Sequence, residues 1–106
     1  MLVIRGGRQS GKSFELIKMS AETGTYILVS TRQRALQLTR QAKEMGLCIP
    51  FPVTLDELLA CKFHGSSILK QGLFIDDVND VLGNILAPIE IKAVTYTDTP
   101  ITEVKL

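Results

Sequence analysis

Residues 6–13 read Gly6-Gly7-Arg8-Gln9-Ser10-Gly11-Lys12-Ser13. They satisfy the pattern G-x-x-x-x-G-K-[ST] at every fixed position. Each fixed residue has a physical task. The glycines let the main chain curl so that successive N–H groups turn inward onto an anion. Lys12 brings a point charge to the outer phosphate oxygens, and Ser13 offers a hydroxyl to Mg²⁺. A helix that starts here aims its unpaired N–H groups and positive end at the same anion. Glycine makes up about 7% of average sequences, so the four fixed positions coincide by chance at roughly one start in tens of thousands.

The surroundings suit that mechanism. Met1-Leu2-Val3-Ile4 is an apolar run that predicts a buried strand leading into the loop. Residues 12–21 predict a helix, with Phe14, Ile17 and Ala21 on one side. Tyr26-Ile27-Leu28-Val29 reads as a second buried strand. Residues 31–45 form the clearest helix, with Ala35, Leu38, Ala42 and Met45 as its apolar stripe and Gly46 as its stop. An extended piece over 48–53 follows. Thr54-Leu55-Asp56-Glu57 then has the form of a capping box that opens a short helix to about Cys61.

Gly72-Leu73-Phe74-Ile75-Asp76 predicts a third apolar strand. Val78, Val81, Leu82, Ile85 and Leu86 fall at helical spacing before Pro88. Residues 91–96 predict a last strand, broken by Thr99-Pro100. Strands alternating with helices imply an α/β fold: a mainly parallel sheet between helical layers, with right-handed crossovers. All 106 residues fit one domain.

Asp76 and Asp77 end the third apolar strand. Placed beside the loop strand, that strand would carry Asp76 to the Mg²⁺ side of the loop, where it would hold the ion through water. Asp77 would then orient the attacking water.

Composition narrows the classes. Apolar residues are 45% and charged residues 22%, which is ordinary for a globular chain. No apolar run approaches the roughly 20 residues of a membrane span, and no charged-then-apolar leader opens the chain. No membrane partner and no secretion are therefore expected, and Met1 running straight into a strand suggests a natural start. Cys48 and Cys61 fit no metal spacing and read as reduced thiols. His64, the single histidine, falls in a polar stretch and reads as a surface residue. Net charge is +1, but residues 1–53 carry +5 and residues 54–106 carry −4, with all five arginines in the first 40 positions. A basic front half suggests an anionic partner on one side of the molecule.

The loop and the acidic strand together resemble the P-loop NTPases. The intervening strand gives them a spacing similar to the RecA-like branch, which includes helicases and viral DNA-packaging terminases. The resemblance implies a minimal RecA-like core, ATP as the nucleotide and Mg as the metal. It implies nucleotide contacts at Gly7, Arg8, Gln9, Ser10, Gly11, Lys12, Ser13 and Phe14, and metal contacts at Ser13 and Asp76. Lys12 and Asp77 would be catalytic. Arg8 would serve as the transition-state arginine in cis, as the packaging-motor likeness suggests. Thr95 or Thr97 falls where the family places a sensor of the γ-phosphate. Residues 30–37 and 53–59 are similar to segments that face nucleic acid in helicases. The likeness also implies a viral source and a cytoplasmic location, in the cell or in an infected host.

At about 100° per residue, Arg32, Leu36, Arg40 and Lys43 fall within about 80° of one another, away from the apolar stripe. Arg32, Arg40 and Lys43 are thus candidates to follow a phosphate backbone. No aromatics interleave with them, so base stacking is not expected. The leading expectation is an ATPase coupled to DNA, or to a DNA-handling partner, that needs self-assembly into a homo-oligomer or a partner to work as a motor. The alternative is a nucleotide-binding regulatory module with little hydrolysis. Asp77 favours it, because the family usually carries Glu there. A small-molecule kinase is the third reading.

Overall fold

Tyr26-Ile27-Leu28-Val29 organises the molecule. In a computed structural model, which describes residues 1–7, 11–60, 67–95 and 102–106, this run is the central strand of a three-stranded sheet. The elements in chain order are β1 (Leu2–Arg5), α1 (Lys12–Thr23), β2 (Tyr26–Val29), α2 (Arg32–Glu44), β3 (Val53–Thr54), α3 (Leu55–Ala60), α4 (Ser67–Gln71), β4 (Leu73–Ile75), α5 (Val78–Leu86) and β5 (Thr102–Lys105). Sheet order is β3-β2-β4, with Leu28 opposite Val53 and Ile27 opposite Phe74. Every strand pairing among the described residues is parallel. The chain is therefore an α/β domain built on parallel strands.

The core follows from two periodicities. Side chains alternate along a strand, so Ile27 and Val29 share one face of β2. Ile17 of α1 and Ala35, Leu38 and Ala42 of α2 pack against them in one buried cluster. The α2 stripe thus covers that face as its spacing predicts, with Met45 half-buried beside it. Burying a side chain of the size of Ile17, Ile27 or Leu38 contributes about 1.5–3 kcal/mol.

Local signals set the ends of the helices. Gly24, at φ 72°, closes α1 in the left-handed conformation and donates its N–H to the Ser20 carbonyl at 2.8 Å. The buried Ser20 hydroxyl donates to the Thr25 carbonyl at 2.6 Å, which satisfies it. Thr31 caps α2 by accepting from the Arg34 N–H at 3.2 Å. The box at Thr54 closes as expected: Thr54 Oγ1 accepts from the Glu57 N–H at 3.3 Å, and Glu57 Oε1 accepts from the Thr54 N–H at 3.2 Å.

Three expectations need correction. The strands do not form one sheet: β1 pairs with β5 in a separate two-stranded sheet. Among the described residues the strand that ends at Asp76 forms no ladder with the loop strand. It pairs with β2, and the Asp76 N–H extends that ladder to the Leu28 carbonyl at 3.0 Å. Finally, residues 91–95 lie outside any helix or strand, position 96 lies outside the described residues, and the last strand among those described is Thr102–Lys105. The physical reason is the partner each segment finds. Thr102-Glu103-Val104-Lys105 alternates with period two, so Val104 sits opposite Ile4, and Glu103 Oε1 accepts from Arg5 Nη1 at 3.0 Å. Helix α4 lies in a stretch for which the sequence reading assigned no element.

Among the described residues no helix is long and apolar enough to cross a membrane. Cys48 is a free, exposed thiol. The expectations at Arg8, Gln9, Ser10, Cys61, His64 and Thr97 lie outside the described residues.

Candidate functional site

Four chain segments define the site: the loop following β1, the first turn of α1, the first turn of α2 and the end of β4. Gly11 stands at the N-cap of α1 with φ 89°, a left-handed conformation that strains any residue bearing a Cβ. Its carbonyl accepts the first helical bond, from the Glu15 N–H at 3.1 Å. Having no side chain, Gly11 offers no cap to the N–H groups of the first turn, which are the groups a bound anion would use.

Lys12 curls back over the loop. Its Nζ donates to the carbonyls of Gly6 at 2.7 Å and Gly7 at 2.8 Å. Those two carbonyls engage two of its three protons and hold the ammonium against the start of the loop. Phe14 is exposed in the same first turn of α1, and the Lys18 ammonium stands 5.8 Å from its ring centre.

Ser13 and Asp76 meet, but through a residue that the sequence reading left out of the site. Arg34, in the first turn of α2, donates from Nη2 to Ser13 Oγ at 2.7 Å. The same nitrogen lies 3.4 Å from Asp76 Oδ1, and Nε donates to Asp76 Oδ2 at 2.8 Å. The remaining nitrogen, Nη1, donates to Gln37 Oε1 at 3.3 Å. Asp76 is buried, and the guanidinium is partly exposed. The hydrogen bond to Asp76 raises the Arg34 pKa above its ordinary value. Burial opposes that shift, and attraction to Asp76, Asp80 and Asp77 adds to it.

Asp77 takes a different position from its neighbour. It adopts φ 57°, a conformation in which Asp is enriched, and its Oδ1 accepts from the Asp80 N–H at 3.3 Å as the N-cap of α5. Thr95 is exposed and lies outside any helix or strand.

The three cations of the proposed nucleic-acid face are all exposed on α2. Arg32 is partly engaged, 3.9 Å from Glu57 Oε2 and 6.0 Å from the Phe51 ring centre. Arg40 and Lys43 line a shallow groove with Leu36 and Thr39. A separate hollow of about 230 Å³ opens where β2 and β3 end, lined by Ser30, Thr54, Asp56, Val81 and Asn84 among others.

The donor set suits a hard cation. Ser13 Oγ and Asp76 Oδ1 both face one nitrogen of Arg34, so an oxygen from α1 and an oxygen from β4 share a single cation position. One hydroxyl and one carboxylate, completed by water and phosphate oxygens, is the kind of shell Mg²⁺ accepts. Comparisons of the chain with protein-family models, with curated proteins and with solved structures find no match.

Proposed function

We propose that the chain is a P-loop nucleotide-binding domain of RecA-like type, an ATPase that works with DNA or with a DNA-handling partner. One observation carries the reading. The loop motif and the acidic strand are separated by about 60 residues, yet Ser13 and Asp76 converge on one cation position at the start of α1. Convergence of these two oxygens is what the loop chemistry requires of them.

On this reading the triphosphate lies on residues 7–13, with the N–H groups of the first α1 turn directed at its oxygens. Lys12 releases the carbonyls of Gly6 and Gly7 and transfers its charge to the outer phosphates. Ser13 and, through water, Asp76 hold Mg²⁺. The ion supplies positive charge against the phosphate oxygens when bound. Arg8 adds charge in cis, and Thr95 or Thr97 reads the γ-phosphate. The exposed Arg40 and Lys43 follow a nucleic-acid backbone.

A second reading has a specific observation in its favour. The Asp77 carboxylate is engaged as the cap of α5, so orienting a water would cost that cap. A regulatory module that binds nucleotide and barely hydrolyses it fits that arrangement.

Binding of an ATP analogue, followed by phosphate release with and without single-stranded or duplex DNA, tests the proposal. DNA-stimulated release supports the motor reading. Tight binding without release supports the regulatory one, and phosphate transfer to a nucleotide or sugar supports a kinase. No binding of any nucleoside triphosphate overturns all three.

A further inference from the structure

The position between Ser13 and Asp76 is filled by the protein's own cation. All three guanidinium nitrogens of Arg34 have acceptors: Nε and Nη2 on Asp76, Nη2 also on Ser13, and Nη1 on Gln37. Its backbone is fixed by the Thr31 cap. Two elements far apart in the chain are thereby clamped to a third.

Electrostatics make the clamp exclusive. Asp76 is buried and its charge needs a partner there. Arginine stays charged across the usable pH range, so it cannot vacate the position by losing a proton. A divalent cation that binds Ser13 Oγ directly and Asp76 through water must therefore take the place of the guanidinium. Two cations held side by side between these oxygens would repel each other across a few ångströms of partly desolvated space.

We propose that Arg34 is a built-in counter-cation that occupies the divalent-metal position between Ser13 and Asp76, so that metal and guanidinium compete for the same two oxygens. With Arg34 seated, the position is neutral and metal-free. With Arg34 displaced, Ser13 and Asp76 are both free for the ion, and the guanidinium is released at the mouth of the loop. The metal requirement of the site is then set by α2, an element outside the loop motif. The inference rests on the nucleotide reading only for what the metal serves, since the competition itself involves this chain and a metal ion alone.

The test is titration of the full chain with Mn²⁺ alone, read by water-proton relaxation. Removing the competitor in Arg34→Gln is expected to tighten Mn²⁺ binding by roughly tenfold or more, the factor set by a charge-assisted hydrogen bond that no longer has to break. Adding Asp76→Asn to that variant is expected to abolish the gain. Equal Mn²⁺ affinity in wild type and Arg34→Gln overturns the proposal, and so does a gain that survives Asp76→Asn. Should Arg34→Gln fail to fold, Arg34→Lys keeps a charge for Asp76 but loses the fork that also holds Ser13. It is expected to shift affinity in the same direction, and no shift overturns the proposal. Parallel titration with an ATP analogue separates the two readings. Mn²⁺ competition in a chain that binds no triphosphate removes the nucleotide function and leaves this inference standing. Triphosphate binding with unchanged Mn²⁺ affinity does the reverse.

Discussion

Arg34 Nε lies 2.8 Å from Asp76 Oδ2, joining the first turn of α2 to the end of β4 across 42 positions of sequence. The pair is asymmetric, because the carboxylate is buried and the guanidinium is partly open to water. Removing the cation strands a buried charge, whereas removing the carboxylate returns the arginine to solvent. Arg34→Ala is therefore expected to cost more stability than Asp76→Ala, with each loss about 1–3 kcal/mol. The double variant is expected to lose less than the two singles combined, by about 0.5–3 kcal/mol. Urea unfolding of the four proteins measures both quantities.

Lys12 donates to the carbonyls of Gly6 and Gly7 and is not a member of the buried cluster. Lys12→Ala is expected to leave the urea midpoint nearly unchanged and to remove ATP binding. Calorimetric titration checks this, and unchanged ATP affinity in a folded variant would refute the loop assignment.

Leu38 is fully buried between α2 and β2. Leu38→Ala is expected to destabilise the chain by about 2–5 kcal/mol, through lost burial and the cavity left behind. That is a large share of the about 5–15 kcal/mol typical of a domain. The shift in urea midpoint reads it directly.

Arg40 and Lys43 are exposed and lie in one groove, while Arg32 is partly held by Glu57 and Phe51. Charge reversal at Arg40 and Lys43 together is expected to weaken duplex binding and to flatten its log–log salt dependence by roughly two. Fluorescence anisotropy across a salt series gives the slope. Unchanged slope and affinity would show that the groove is only solvated.

The parts of this fold legible in the sequence are those fixed by local pattern. The Ala35/Leu38/Ala42 stripe, the Thr54/Glu57 box and the β2 run all rest on neighbours within a few residues, and each forms as its pattern predicts. Strand partnership is different. Nothing in the residues of β4 distinguishes β1 from β2 as its ladder partner, so the pairing expected for Asp76 rests on an assumption of topology. β5 carries little signal of its own because Thr102-Glu103-Val104-Lys105 is short and half charged, and its strand character depends on β1 lying alongside. Within the site, the loop and Asp76 were legible from motif chemistry, and Arg34 was not. A guanidinium reaching across 42 positions leaves no periodic trace. The one available signal is an arginine in the first helical turn after a capping threonine, beyond the carboxyl end of a parallel strand, where ligands gather in open α/β sheets.

The β1–β5 ladder bears on how the molecule is made. During synthesis Leu2 leaves the ribosome well before Thr102, its ladder partner. The β2-centred unit, whose buried cluster and strand pairings lie within residues 16–75, can assemble before β1 has its partner. The strand that leads into the anion grip thus gains its ladder partner only after the segments of that unit have been made. A nascent chain stopped before residue 102 should already hold its interior while remaining blind to its ligand.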